Sequence, residues 1–161
     1  MSRRPRRPLP GITIAGEPPD QPDVRELIAA LDRQMLALYP PESNHLLDIE
    51  TLSGPGVGFF VARVVGRAVG CAALVHRDDY GEVKRMYVSP EMRGHGLARQ
   101  LLGAVEQAAH EAGFDLLRLE VGIAQPDAIG LYRSFGFKKR GPFGDYRDDP
   151  LSIFMEMGVG G

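Results

Sequence analysis

A short loop rich in glycine and arginine is the part of the sequence best suited to bind a ligand. The segment Met86–Leu102, MYVSPEMRGHGLARQLL, reads as a strand, a loop and the start of a helix. A helix that begins directly after a loop presents unpaired N–H groups and partial positive charge at one point, which attracts anions. Gly94 and Gly96 let a phosphate approach the main chain, and Arg93 adds a charged donor. The spacing predicts a phosphate site, with an ordinary glycine turn as the alternative.

Two common nucleotide-binding motifs are absent from this loop. Arg99 stands where Gly-x-Gly-x-x-Gly requires its third glycine, so the dinucleotide fingerprint is missing. The chain has no Gly-Lys-Ser/Thr triplet, which excludes a P-loop.

The periodicity of the surrounding sequence predicts the elements that hold this loop. Helical spacing of apolar residues fits 24–38, 97–112 and 126–135, and residues 42–52 favour a further short helix. Strand-like runs occupy 11–16, 58–65, 68–76, 82–88, 116–123, 138–143 and 151–157. The order β-α-(α)-β-β-β-α-β-α-β-β places an antiparallel meander before a β-α-β unit. It predicts an α/β fold with one mixed, mostly antiparallel central sheet and helices on both faces.

Length and composition favour a single globular domain. The chain has 161 residues, of which 43% are hydrophobic and 25% charged. No apolar run approaches the roughly 18 residues that a bilayer span needs, so no membrane association is expected. Cys71 is the only cysteine. An intramolecular disulfide is therefore impossible, and the cytoplasm is the predicted location.

The basic residues are concentrated at the amino terminus. Four of the 19 Lys and Arg residues lie within residues 1–7, which leaves 15 basic against 21 acidic residues in the remainder. We expect residues 1–9 to be a disordered basic tail, with a phosphate-seeking arm as the alternative, and residues 10–161 to be the domain. The acidic body disfavours a nucleic-acid partner.

Two motifs carry a resemblance to a known family. Arg93-Gly94-His95-Gly96-Leu97-Ala98 fits the pattern Arg/Gln-x-x-Gly-x-Gly/Ala and follows a strand that ends in Val88-Ser89-Pro90. Downstream lies Ala128-x-x-Leu131-Tyr132-x-x-x-Gly136-Phe137. With these motifs in this order, residues 58–157 resemble the GNAT superfamily of acyl-CoA-dependent N-acetyltransferases. The resemblance implies a GNAT fold, in which two neighbouring parallel strands of the sheet splay apart.

The resemblance also implies how acetyl-CoA, the acyl donor, binds. The loop residues whose N–H groups would bind the pyrophosphate are Arg93, Gly94, His95, Gly96, Leu97 and Ala98. The strand Met86, Tyr87, Val88 would pair with the pantetheine arm, and an N–H near Met86 or Tyr87 would face the acyl carbonyl. Many members have Asn three residues before the alanine of the second motif. This chain has Gln125 there, which can make similar hydrogen bonds from a longer stem.

Two catalytic residues follow from the same resemblance. Glu82 lies eleven residues before Arg93, where histone-type members have a catalytic glutamate, and is the candidate general base. Neutralising a primary amine at pH 7 costs about 4.6 kcal/mol, so a base helps if burial raises its pKa. Tyr132 matches the tyrosine whose hydroxyl meets the CoA sulfur. The alternatives are a solvated Glu82 at a strand start and a Tyr132 that only fills the core.

The acceptor side is predicted from the segments in which family members differ most. Here these are residues 39–45 and 143–150, both rich in polar and aromatic side chains beside prolines. The prolines suit a rigid pocket wall or a plain helix stop. Lys84 or Arg85 beside Glu42 or Asp145 could hold a zwitterion such as an amino acid. The candidate acceptor-binding residues are Tyr39, Glu42, Lys84, Arg85 and Asp145.

Together these features predict an enzyme that moves an acetyl group from acetyl-CoA to a primary amine. We expect direct attack in a ternary complex and a small-molecule acceptor. The rivals are a protein or peptide N-acetyltransferase and a non-catalytic acyl-CoA-binding sensor. No metal is expected, because His45, His76 and His110 lack ligand spacing. A homodimer is compatible with the sequence.

Overall fold

A seven-stranded sheet with helices on both faces dominates the computed structural model, which describes residues 11–160. The predicted tail, residues 1–9, lies outside the described residues. The helices are α1 (Pro22–Leu38), α2 (Ile49–Leu52), α3 (Leu97–Glu111) and α4 (Pro126–Phe135). The strands are β1 (Ile12–Gly16), β2 (Val57–Val64), β3 (Arg67–His76), β4 (Gly81–Val88), β5 (Leu116–Gly122), β6 (Lys138–Arg140) and β7 (Ser152–Gly158).

The order of the strands confirms the predicted topology. It is β1-β2-β3-β4-β5-β7-β6, and the β4–β5 pair is parallel whereas the other pairs are antiparallel. The first four strands form the meander, and β4, α3 and β5 form the β-α-β unit. This arrangement is the mixed, mostly antiparallel α/β sheet that the resemblance implied.

Two apolar layers pack against the sheet, one on each face. The apolar side of α3 covers one face, because Leu97, Leu101 and Val105 recur at helical spacing and are buried. The apolar side of α1 covers the other face in the same way through Val24, Ile28 and their neighbours. Strand β3 lies between the layers with all but its end residues buried, which explains its continuous apolar run.

Strands β4 and β5 separate soon after they begin. They pair at Gly81↔Leu117 and Glu82↔Arg118, and the pairing stops there although both strands continue. Strand β4 also bulges beside this opening, because Arg85 and Met86 together oppose the single residue Ala72 of β3. The splayed parallel pair that the family resemblance implied is therefore present.

An unusual backbone conformation accompanies the bulge. Arg85 has φ 58°, a left-handed conformation that non-glycine residues seldom adopt. The buried thiol of Cys71 donates a hydrogen bond to the Arg85 carbonyl at 3.3 Å. Burial raises the pKa of this thiol to about 12, so it remains a donor at neutral pH.

Two predicted elements are shorter than expected. Residues 42–52 form a 3₁₀ turn at Pro41–Ser43, an extended segment and the one-turn helix α2, which Asp48 caps by accepting from the Thr51 N–H at 2.8 Å. Strand β6 was expected to reach residue 143 but ends at Arg140. Gly141 and Pro142 follow, and proline cannot donate to a sheet ladder.

Candidate active site

The gap between β4 and β5 forms a cleft that passes through the sheet. We call it the strand cleft; its lining includes Met35, Lys84, Met86, Glu120, Gln125 and Tyr132. Lys84 and Glu120 belong to the face that α1 covers, because the intervening residues of β5 pack with α3. Tyr132 packs with the α3 layer on the opposite face. One opening thus brings together groups from both sides of the sheet.

The loop Arg93–Ala98, which we call the phosphate loop after its predicted ligand, has a left-handed backbone at both of its glycines. Gly94 and Gly96 have φ values of 84° and 79°, and Gly96 precedes the first residue of α3 without a side-chain cap. A Cβ built on Gly96 would meet no other atom within 4 Å, so the space beside this helix start is open. The N–H groups of the first helical turn and the open space fit an anionic group such as a pyrophosphate.

The guanidinium of Arg93 already makes hydrogen bonds within the protein and is not reserved for a phosphate. Its Nε donates to the Val88 carbonyl at 3.1 Å, and its Nη2 donates to the side chain of Gln34 at 3.2 Å. The guanidinium also stacks over the Tyr87 ring. These contacts tie the end of β4 to the loop, so Arg93 positions the loop whatever else it binds. His95 lies half-buried within the loop.

The three β4 residues expected beside the pantetheine arm differ in how they meet the cleft. Met86 lines it, whereas Tyr87 and Val88 bury their side chains in the two apolar layers. Their backbone pairing with acetyl-CoA stays a prediction.

Tyr132 is a buried tyrosine at the cleft wall. Its side chain makes an edge-to-face contact with Phe137, with ring centroids 5.7 Å apart. Burial, reinforced by the charge of Glu120, raises the pKa of the Tyr132 hydroxyl far above its ordinary value. The hydroxyl therefore stays protonated and can act as a hydrogen-bond donor in the cleft.

Glu82 is almost completely buried, which excludes the solvated alternative. Its Oε1 accepts from Arg77 Nε at 3.0 Å and Nη2 at 2.9 Å, and its Oε2 accepts from the Tyr146 hydroxyl at 2.5 Å. Lys84 Nζ lies 3.6 Å from the same oxygen. Glu82 does not line the strand cleft. It lines a second cavity beside it, which we call the outer pocket and whose lining also includes Arg77, Lys84, Arg118, Asp145 and Tyr146. Its role as a base stays a prediction.

Glu120 is a carboxylate in the cleft that we did not single out from the sequence. It accepts a hydrogen bond from the Ser152 hydroxyl at 2.7 Å. Burial raises the pKa of Glu120, and the bond from Ser152 opposes this only in part. The sequence did contain a signal for Glu120, because it is a charged residue within a strand that is predicted to be buried. Only the splay of β4 from β5 turns that face into a cleft wall.

Lys84 lies where the strand cleft meets the outer pocket. Its Nζ donates to the His45 carbonyl at 2.9 Å and to the Tyr146 hydroxyl at 2.5 Å, and only 11% of the side chain is exposed. Burial lowers the pKa of Lys84, whereas the charges of Glu82 and Glu120 oppose the change.

Comparison with known proteins places this arrangement in a family. The sequence pattern of the acetyltransferase (GNAT) family matches residues 24–137. This chain belongs to the GNAT family. It is 51% identical to an IAA acetyltransferase of Azospirillum brasilense over 92% of this chain and 98% of the relative. It is 40% identical to the N-acetyltransferase YsnE of Bacillus subtilis over 75% of this chain and 82% of that protein.

A solved structure agrees with the sequence matches. An acyl-CoA N-acyltransferase structure from Klebsiella pneumoniae superposes with a TM-score of 0.78 at 37% identity, covering 92% of this chain and 97% of that one. The protein is accordingly an acetyl-CoA-dependent GNAT N-acetyltransferase.

The expected zwitterion pairs are only partly assembled in this GNAT domain. The Arg85 guanidinium donates to Asp32 at 2.5 Å and its Nε to the Leu47 carbonyl at 3.0 Å, so Arg85 does not pair with Glu42 or Asp145. Glu42 lies exposed in the 3₁₀ turn and lines neither cavity. The two residues that follow it, Ser43 and Asn44, line the cleft instead. Asp145 is exposed and shares the outer pocket with Lys84.

Tyr39 and Gln125 form one wall of the cleft together. The Tyr39 hydroxyl donates to Gln125 Oε1 at 3.4 Å and accepts from the Ala124 N–H at 3.2 Å. The ring packs directly on Gly122, where a Cβ would stand 1.9 Å from the hydroxyl oxygen. The pair therefore fixes the turn between β5 and α4.

Two further observations concern residues 11–160. No group of three or more His, Cys, Asp and Glu side chains in this range is arranged to hold a metal ion. No helix in the same range is long and apolar enough to span a membrane.

Proposed function

We propose that this GNAT enzyme acetylates the primary amine of a small molecule by direct attack within a ternary complex. The observation that carries the proposal is the strand cleft, which offers Tyr132 from one face and Glu120 with Lys84 from the other. Donor and acceptor could meet there from opposite sides of the sheet.

The residues present fit a donor that carries phosphates. The open space beside Gly96, the left-handed backbone at Gly94 and the start of α3 would hold the pyrophosphate of acetyl-CoA. Met86, beside the bulge of β4, would border the acyl group. Acetyl-CoA supplies the activated acetyl group. Proton removal from the amine and stabilisation of the leaving sulfur depend on side chains of the enzyme.

Two side chains would assist the exchange of a C–S bond for a C–N bond. Glu120 would accept the proton that the amine loses as its nitrogen bonds to the acetyl carbon, and Glu82 is the second candidate for this task. Tyr132 would donate a hydrogen bond to the sulfur as its bond to carbon breaks. Because a tyrosine pKa near 10 exceeds a thiol pKa near 8.5, full proton transfer from Tyr132 is uphill. Hydrogen bonding describes its role better.

A small acceptor is supported by similarity to a named relative. The Azospirillum brasilense protein is an IAA acetyltransferase, and the two chains align over almost their whole lengths. The buried free thiol of Cys71 supports the cytoplasm as the place of action.

The first test measures donor binding through the phosphate loop. At 100 times its Kd, acetyl-CoA should stabilise the fold by about 2.7 kcal/mol, which a thermal shift detects. Gly96→Asp should abolish the shift by placing a carboxylate where phosphate binds. Gly66→Asp is the matched control, since Gly66 has φ 83° and equally open space but lies in the β2–β3 turn. Equal shifts in the two variants would refute the loop assignment.

The second test identifies the acceptor class. A panel of small amines and peptides is incubated with acetyl-CoA, and the release of free thiol is followed. Thiol release with small amines alone supports the proposal. Release with peptides alone supports protein acetylation, and acetyl-CoA binding without any release supports a sensor.

A further inference from the structure

Building on the proposed function, we propose that the acceptor is a small amino acid, with Lys84 binding its carboxylate and Glu120 receiving its amine. We expect the side chain of this amino acid to be uncharged. The argument depends on how charges are distributed at the inner end of the cleft.

Lys84 shares its carboxylate partner, Glu82, with the second cation Arg77. The carboxylate of Glu82 already accepts two hydrogen bonds from Arg77 at 2.9 and 3.0 Å. Lys84 hydrogen-bonds instead to two neutral oxygens, the His45 carbonyl and the Tyr146 hydroxyl, and lies 3.6 Å from Glu82. One buried carboxylate thus faces two cations, Arg77 and Lys84, so an added anion beside Lys84 is favoured.

Lys84 and Arg85 are the Lys and Arg residues among the described residues that line the strand cleft. Arg85 has its own carboxylate partner, Asp32, at 2.5 Å. Of these two cations, Lys84 is thus the one suited to bind a carboxylate from the acceptor.

Glu120 provides the opposite charge within the same cleft. Glu120, Lys84 and His45 all line the strand cleft. Ser152 holds Glu120 by a single hydrogen bond, in contrast to the three donors around Glu82. An ammonium or amine could therefore approach Glu120 while a carboxylate on the adjacent carbon approaches Lys84.

The remaining cleft wall sets the character of the acceptor side chain. Leu31, Met35, Leu46 and Met86 line the cleft and offer no charge. A charged side chain would lose its hydration there without a partner, so an uncharged one is favoured.

The first experiment uses the unmodified enzyme and three related amines. Leucine, leucinamide and 3-methylbutylamine share one side chain, but only leucine has a carboxylate. Because the three amines differ in pKa, kcat/KM is expressed per neutral amine. We expect leucine to exceed the other two by about 10- to 100-fold, as a charged hydrogen bond would provide. Equal values for the three compounds would overturn the inference and leave the proposed function intact.

The second experiment assigns the selectivity to Lys84. In Lys84→Met the ratio of kcat/KM for leucine to that for 3-methylbutylamine should fall to near one, and Lys84→Arg should restore part of it. Lys139→Met is the matched control, because Lys139 is exposed on β6 away from the cleft. An unchanged ratio in Lys84→Met overturns the assignment. If that variant does not fold, the comparison of the three amines decides.

These outcomes also separate the two proposals. Absence of thiol release with every amine, while acetyl-CoA still stabilises the protein, would count against the proposed function itself. If amines with and without a carboxylate are acetylated equally well, the result would count against an amino acid as the acceptor but not against the proposed function.

Discussion

Tyr132 and Glu120 approach the strand cleft from opposite faces of the sheet, and burial affects the two groups in different ways. For Tyr132, burial favours the protonated hydroxyl, which is the form that donates to sulfur. For Glu120, burial raises the pKa and moves it closer to that of an amine, which makes the carboxylate a better base.

Replacing Tyr132 by Phe should slow the chemical step. The hydroxyl donates most strongly when charge develops on sulfur, so it stabilises the transition state more than the bound donor. We expect a loss of about 10²- to 10³-fold in single-turnover rate with little change in acetyl-CoA affinity. Tyr80→Phe, at another buried tyrosine, is the control. Lost affinity with an unchanged rate would identify Tyr132 as a wall residue only.

Replacing Glu120 by Gln should change the pH dependence of kcat. A base works when deprotonated, so the wild-type rate should fall as pH drops through the raised pKa of Glu120, above the usual value near 4.3. In Glu120→Gln this acidic limb should vanish. The rate should be about 10²- to 10⁴-fold lower, and the deficit should shrink as pH nears the amine pKa.

Glu82→Gln is the direct comparison for that experiment. The sequence predicts that this variant loses rate mainly at low pH, whereas the hydrogen bonds around Glu82 predict mainly a loss of stability. If the acidic limb disappears in Glu82→Gln and persists in Glu120→Gln, Glu82 is the base.

The two carboxylates show how far residue-level prediction extends. A motif offset identifies Glu82 from the sequence, because offsets along one strand are local. Glu120 lies on a different strand, and it reaches the site only because β4 and β5 diverge. Such a long-range property depends on the backbone geometry of both strands and cannot be obtained from spacing alone.

At the level of elements, regular periodicity predicts best. Helices α1, α3 and α4 begin and end within two residues of their expected positions, since proline and glycine mark their boundaries. The segment between α1 and β2 was less predictable. Its conformation depends on hydrogen bonds to residues far away in the sequence. Ser43 donates to Asp149 at 2.7 Å, and Lys84 donates to the His45 carbonyl.

The turn after β5 should tolerate no side chain at Gly122. In Gly122→Ala the new methyl group would displace the Tyr39 ring and break its bonds to Ala124 and Gln125. We expect a loss of about 1 to 3 kcal/mol in the free energy of unfolding, measured with urea.

Gly103→Ala is the matched control within α3. A Cβ there would meet nothing within 4 Å, and alanine favours a helix interior over glycine by roughly 0.5 to 1 kcal/mol. The two substitutions should therefore change stability in opposite directions. A stabilising Gly122→Ala would contradict the position assigned to Tyr39.

On the scale of the whole molecule, an ion cluster joins α1 and β2 to Glu17, the residue that follows β1. Arg63 donates to Glu17 at 2.9 Å and to Asp23 at 2.6 Å. Hydrogen bonds from Arg63 hold the pKa values of both carboxyls below their usual range.

Arg63→Met should destabilise the protein by roughly 1 to 2 kcal/mol at pH 7, a modest value because solvent screens the half-exposed Asp23. Carboxyls with lowered pKa values stabilise the fold above about pH 4 and lose that effect as pH falls through their folded values. The difference from wild type should thus shrink below about pH 4 in urea titrations. Arg25→Met, at an exposed pair with Asp20, is the control and should change little. A difference that grows in acid would contradict the assignment.

The early separation of β4 from β5 also bears on how the molecule opens locally. Within residues 11–160, two backbone residue pairs between β4 and β5 join the β1–β4 half of the sheet to the β5–β7–β6 half. One apolar cluster contains side chains of α3 and of both halves, so beyond these pairs side-chain contacts rather than a hydrogen-bond ladder hold the halves together. Side-chain packing of this kind allows each half to fluctuate as its own cooperative unit, with amide protons exchanging at separate rates. A ligand that pairs with β4 and fills the gap would join the two units, and their exchange rates would then converge.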